Sequence, residues 1–168
     1  MLPFGRLARV LGRRKPKAAV DPLEGSTIHF RVWPNDLDLN RHMNNSRFLV
    51  LMDLGRYDLT RRIGLLAAAK KNQWYPVVAS QTIRYRRSLA PFSKFELRTR
   101  VGCWDEKSFF MHQTFWQRGH LVAEAWVRAR FLAKDKAPST HDVMAAVGDK
   151  RPSPSMPDEV RLWLESGA

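Results

Sequence analysis

The run from Asn45 to Gly64 constrains the fold more than any other stretch of the chain. Phe48, Leu51, Met52, Gly55, Leu59 and Ile63 recur at steps of three and four, with Arg47, Arg56, Asp58, Arg61 and Arg62 between them. That is the spacing of an amphipathic helix. Leu49, Val50 and Leu54 widen the apolar stripe, so the helix is expected to be covered on most sides. Asn44 or Asn45 suits its N-cap, and Gly64 can take the left-handed conformation that ends it. About eighteen residues at 1.5 Å each give roughly 27 Å, enough to cross a small sheet.

The rest reads mainly as strands. Thr27 to Trp33 is a β-favouring run that stops at Pro34. After a short helix or loop from Leu66 to Asn72 comes a strand from Val77 to Arg87, with a turn at Phe92-Ser93. Phe95, Leu97, Thr99, Val101 and Cys103 then alternate with polar residues and glycine, the period of a half-buried strand. Asp105-Glu106-Lys107 and Arg118-Gly119 mark hairpins on either side of a strand from Ser108 to Gln117. Ala123, Ala125, Val127, Ala129 and Phe131 alternate in a last strand whose small residues can accept a helix. The expected fold is α+β, an antiparallel sheet wrapped around a long central helix. It divides into a basic leader (1–24), the domain (25–135) and a C-terminal extension (136–168), irregular over 138–157 with a short helix from Asp158 to Glu165.

With 168 residues, 44% of them hydrophobic, the chain fits one domain with a real core. A single cysteine, Cys103, excludes an intramolecular disulfide and the clustered thiols of a zinc site. His29, His112, His120 and His141 lack ligand spacing, so no metal and no cofactor is expected. The net charge of +13 points by itself to nucleic acid, anionic membranes or phosphorylated ligands. Six of the thirteen charges (Arg6, Arg9, Arg13, Arg14, Lys15, Lys17) lie in residues 1–20, which contain no acid. That leader places Leu7, Val10 and Leu11 on one helical face; it reads as a solvated tail, a peripheral contact with an anionic membrane, or an organellar transit peptide. No stretch reaches the roughly 18 apolar residues that span a bilayer. The domain is therefore expected in the cytoplasm, membrane-associated through the leader, or in an organelle if the leader is a transit peptide. The strands lack an RNP-like aromatic signature and the basic residues do not gather in one helix, so no specific nucleic-acid partner is expected.

At the junction between the first strand and the helix stands DLDLNRHMNN, from Asp36 to Asn45. The order of elements, together with this segment, resembles the hotdog-fold thioesterases of the 4-hydroxybenzoyl-CoA and acyl-ACP types. The runs IRYRRSL from Ile83, FELRTRV from Phe95 and CWDEKSFF from Cys103 are similar to the thioesterase superfamily member six subgroup. The resemblance covers residues 26–133. It places Asp38 at the catalytic aspartate, matches Asp38, Asn40 and His42 to a D-x-N-x-H pattern, and matches Met43, Asn44 and Asn45 to the (V/M)NN that opens the helix. It implies an acyl-CoA or acyl-ACP substrate and a homodimer with the active site at its interface, tetramers occurring among relatives.

The chemistry suits the place. Thioester hydrolysis needs an attacking oxygen near the carbonyl carbon and donors aimed at the developing oxyanion. A helix N-terminus offers free amides, so those of Met43 to Ser46 can polarise the carbonyl. Asp38 activates water or attacks directly, Asn40 orients water or Asp38, and His42 assists proton transfer or only hydrogen-bonds the loop. Asp36 reads as scaffold and Asp53 as the partner of an arginine. Arg84, Arg86, Arg87, Arg98, Arg100, Arg128 and Arg130 read mostly as a solvated outer face, with Arg86 and Arg87 at a strand end as candidates for the phosphates of coenzyme A or the phosphopantetheine arm. Hotdog hydratases carry D-x-N-P-x-H; here His42 falls one residue earlier and Arg41 replaces the proline, which disfavours that reading. A domain that binds acyl-CoA or lipid without turnover is the remaining alternative.

Overall fold

A computed structural model describes residues 18–167; most of the basic leader lies outside them. β1 (Ser26–Arg31) runs through a single 3-10 turn, Pro34–Asp36, toward the long helix α1 (Asn45–Arg62). The Asn44 side chain accepts the Ser46 amide at the start of α1, and Gly64, at φ 80°, turns the chain after its end. α2 (Leu65–Lys71) leads into β2 (Tyr75–Tyr85), followed by β3 (Lys94–Trp104), β4 (Phe109–Gln117) and β5 (His120–Leu132). α3 (Thr140–Ala146) and α4 (Asp158–Glu165) complete the chain. The stretch expected to be irregular thus contains a helix, started by a capping box between Ser139 and Asp142.

The five strands form one antiparallel sheet in the order β1-β3-β4-β5-β2. β2 and β3 are consecutive but do not pair: β2 lies at the far edge beside β5, and residues 86–93 carry the chain back. α1 crosses the sheet with its closest approach to β1 and β3, which is the hotdog arrangement. Gly55 allows that approach. A methyl group there would stand 2.5 Å from Thr99 Oγ1 and 2.9 Å from Gln113 Nε2. Gln113, fully buried in β4, donates to the Met52 carbonyl of α1 at 3.0 Å and to Thr99 Oγ1 at 2.9 Å, and accepts from Arg56 at 2.7 Å. Of the small residues of β5, Ala123 and Ala125 are buried in the same core as α1, while Ala129 borders a cavity under the C-terminal half of that helix.

The strict alternation expected for β3 also fails at one point. A bulge shifts the register between Val101 and Cys103, so Cys103 leaves the inner face and joins Phe110, Trp126 and Val160 in a second buried cluster. Met156, Trp163 and Leu164 pack on that cluster, and the Trp126 indole donates to Glu159 of α4 at 2.8 Å. The outer face is therefore partly covered by the C-terminal segment. Burial, with Asp105 adding to it and Arg100 opposing, pushes the Cys103 thiol up to about 11, so it stays protonated and unreactive near neutral pH. Elsewhere on that face, burial opposes the ionisation of Glu124, but hydrogen bonds from His112 and Arg86 outweigh it and hold the carboxyl below its ordinary value. Among the described residues no helix is long and apolar enough to cross a membrane.

Helix propensity alone would have Gly55→Ala stabilise α1 by up to about 1 kcal/mol. The collision with Thr99 and Gln113 reverses the sign, and a loss of about 2 kcal/mol is expected in urea denaturation.

Candidate active site

The segment from Asp36 to Asn45 is a tight loop closed by a bridge between Leu37 and Met43. Its two aspartates have opposite surroundings. Asp36 is fully buried; its Oδ2 accepts the Trp33 amide at 2.8 Å and its Oδ1 lies 3.8 Å from Arg47 Nε. Its own carbonyl accepts the Asn44 amide at 2.8 Å, so Asp36 ties the strand end to the helix start. Asp38 is half-buried, and its Oδ1 accepts the amides of Asn40 at 2.9 Å and His42 at 3.2 Å. Its Oδ2 has no protein partner among the described residues. Because two amides fix one oxygen, the other is held in a defined place without being consumed.

Arg41, at φ 59°, makes the turn that brings His42 back, and the Asp38 amide donates to the His42 carbonyl at 2.9 Å. The His42 ring and the Asn40 side chain are both exposed, and neither makes a side-chain hydrogen bond among the described residues. Leu39 at the tip is fully exposed. Of the helix-start amides, Met43 donates to the Leu89 carbonyl at 2.9 Å, Asn44 to Asp36, and Ser46 to the Asn44 side chain at 2.9 Å. The Asn45 amide alone among these four has no acceptor among the described residues. The start of α1 therefore offers one donor rather than four, because tertiary contacts and the cap use the others.

The 86–93 loop passes beside this segment, as the Met43–Leu89 bond shows, yet Arg86 is committed elsewhere. Its guanidinium lies 3.3 Å from Glu124, which also receives His112 at 3.0 Å. Arg87 is exposed, and its amide and that of Arg86 both donate to the Val122 carbonyl.

Two features were missed from the sequence. Tyr85, the last residue of β2, sets its ring edge-on to Phe48 and its hydroxyl 3.3 Å from the Asn45 carbonyl, and burial raises its pKa. The other is the cavity of about 260 Å³ between α1, α2, β2, β5 and α3. Leu59, Val101, Phe109, Met111, Phe131 and Met144 line it, and its polar groups are Asp53, Arg56, Tyr57 and Thr60 of α1. Asp53 pairs with Arg56, as expected of it; burial draws the Arg56 guanidinium below its ordinary value, and Asp53 works against that shift. Asp38 does not border this cavity, which lies toward the opposite end of α1. Among the described residues no group of three or more His, Cys, Asp or Glu could hold a metal ion.

The sequence profile of the thioesterase-like superfamily matches residues 32–164. Protein THEM6 of Xenopus laevis is 36% identical over 156 residues, 93% of this chain and 75% of that protein. Protein THEM6 of Danio rerio is 48% identical over 95 residues, 56% of this chain and 47% of that protein, so this match spans about half the relative's length. A crystal structure of a 4-hydroxybenzoyl-CoA thioesterase in complex with 4-hydroxybenzoyl-CoA superposes with a TM-score of 0.65, at 14% identity, covering 74% of this chain and 99% of that one.

The two aspartates should separate in stability measurements. Asp36→Ala strands a buried amide and removes the carboxylate facing Arg47, so a loss of about 3 kcal/mol is expected in chemical denaturation. Asp38→Asn keeps an acceptor for both amides and should cost less than about 1 kcal/mol.

Proposed function

The chain belongs to the thioesterase-like superfamily, and from that membership we propose that it hydrolyses an acyl-CoA or acyl-ACP thioester to free acid and thiol, with Asp38 as its working carboxylate. The observation that carries this reading is the state of Asp38: Oδ1 is pinned by two amides, Oδ2 is open, and the unpaired Asn45 amide follows on the same loop. The thioester oxygen accepts from Asn45 N–H, where the helix adds partial positive charge. Oδ2 takes a proton from the attacking water, or attacks the carbonyl carbon itself to give a mixed anhydride that water then opens. The C–S bond breaks and the thiolate leaves, recovering a proton. Asn40 orients the water, His42 serves proton transfer at the loop rim, and the exposed Arg87 meets the phosphates of the arm, Arg86 being held by Glu124. Met43 and Asn44 hold the loop in register for this.

The separation of Asp38 from the apolar cavity argues that the site is completed by a second copy. Among the described residues the outer edge of β2 has no partner strand, and it exposes Tyr75, Val78 and Tyr85. Pairing this edge with its own copy about a twofold axis sets the two α1 helices side by side in opposite directions. Each Asp38 loop, with Leu39 at its tip, then turns toward the cavity of the other copy, which takes the acyl group.

The test is release of CoA from a panel of acyl-CoAs. Asp38→Asn is expected to lower kcat by about a hundredfold or more while acyl-CoA binding persists, with a smaller loss for His42→Ala. Mixing Asp38→Asn with Ala129→Trp, which fills the cavity, should restore part of the activity through shared sites. Binding without turnover at any chain length in the unaltered protein would establish the alternative, a non-catalytic acyl-CoA or lipid-binding domain.

A further inference from the structure

The exposed large apolar residues fall into separate groups. Tyr75, Val78 and Tyr85 lie on β2, while Trp33 and Phe92 lie at the opposite edge, beyond the end of β1 and before β3. The β2 pairing proposed above leaves the second group uncovered. Trp33 and Phe92 are 48% and 54% exposed, yet they are built in place. Their rings meet edge-to-face at 6.4 Å, the Phe92 amide donates to the Val32 carbonyl at 3.0 Å, and the Val32 amide donates to the Ser93 carbonyl at 2.9 Å. The Trp33 amide is anchored by the buried Asp36. Phe92 holds φ 60°, a conformation that glycine or asparagine adopts more cheaply than a bulky aromatic residue. Neither that backbone nor the core calls for a half-exposed phenyl ring at this position.

Beside the pair runs an open groove of about 620 Å³ over β1, β3 and β4. Arg31 and Lys94, register partners on β1 and β3, border it with Arg98 and Arg118, against the single acid Glu96. Arg98 lies over the Trp116 ring at 5.0 Å. Arg98 pairs with Glu96 at 3.0 Å, so the charges of Arg31, Lys94 and Arg118 exceed the acid of the groove, and this excess beside a tryptophan and a phenylalanine presented to water matches an anionic phospholipid surface. Indole rings settle at the headgroup level with the N–H end wet, and each basic side chain near such a surface strengthens binding about fivefold. A nucleic acid would be served better by rings laid flat as stacking platforms than by an edge-to-face pair.

We propose that this face docks the protein on anionic membranes, with Trp33 and Phe92 entering the headgroup layer and Arg31, Lys94 and Arg118 meeting lipid phosphates. The contact belongs to the folded domain and is distinct from any made by the leader. The experiment is co-sedimentation of the full chain with vesicles of phosphatidylcholine, with and without phosphatidylserine. Arg6, Arg9, Arg13, Arg14, Lys15 and Lys17 are replaced by Gln in every arm, so that these six leader charges do not contribute. The parent should bind the phosphatidylserine vesicles preferentially and release them as salt is raised. Lys94→Glu combined with Arg118→Asn, both at exposed positions, removes about three units of charge and should weaken partition about a hundredfold. Trp33→Ser combined with Phe92→Asn should weaken it at least about tenfold, with the unfolding temperature tracked alongside. A parent indifferent to phosphatidylserine, or a charge variant that binds as the parent does, would overturn the proposal.

Discussion

The amide of Gln113 joins the sheet to the helix at the centre of the molecule. It donates to a helix carbonyl, donates to a strand hydroxyl and accepts from Arg56, so a fully buried polar side chain is satisfied on both ends. A buried group of this kind is tolerated only in one geometry, because any shift of the helix along or about its axis would strand it at a cost of a few kcal/mol. Gly55 provides the close approach that this geometry requires. The position of α1 then sets the two parts of the candidate site: its N-terminal turn carries the Asn45 amide, and its C-terminal half roofs the cavity.

Much of this was legible because it is local. The ends of α1 lie where Asn44 and Gly64 suggest, since capping depends on a few adjacent residues. The DLDLNRHMNN segment announced itself by position between a strand and an apolar helix. What could not be read depends on contacts distant in sequence. Nothing local distinguishes a strand that pairs with the next from one that crosses to the far edge, as β2 does. The bulge near Gly102 reverses the face of Cys103, and Trp126, which reads as an outward residue among charged neighbours, is buried because α4 folds back on it. At the site, the amides of Met43 and Asn44 looked available, yet Leu89 and Asp36 take them up. Asp36 and Asp38 are the same residue type two positions apart; burial of one and half-exposure of the other separate scaffold from candidate base.

The sheet has two unlike edges. β2 carries Tyr75, Val78 and Tyr85 along a backbone edge with no partner strand among the described residues, a surface suited to a partner that supplies both hydrogen bonds and apolar contact. The β1 edge is shorter, six residues against the eleven of β2, and ends in an aromatic pair beside clustered cations. Both edges present strand backbone, but they differ in length and in the side chains beside them, so the two proposed contacts fall on separate parts of the sheet.

The second cluster, around Cys103, Phe110, Trp126 and Val160, shares no buried residue with the main core and is closed by a helix of eight residues. Cys103, Phe110 and Trp126 belong to the sheet, but the helix that covers them can lift at a free energy below that of global unfolding. The lone thiol sits behind it. Its rate of modification by a thiol reagent therefore reports how often that small helix lifts, so the molecule carries an internal clock for one local opening.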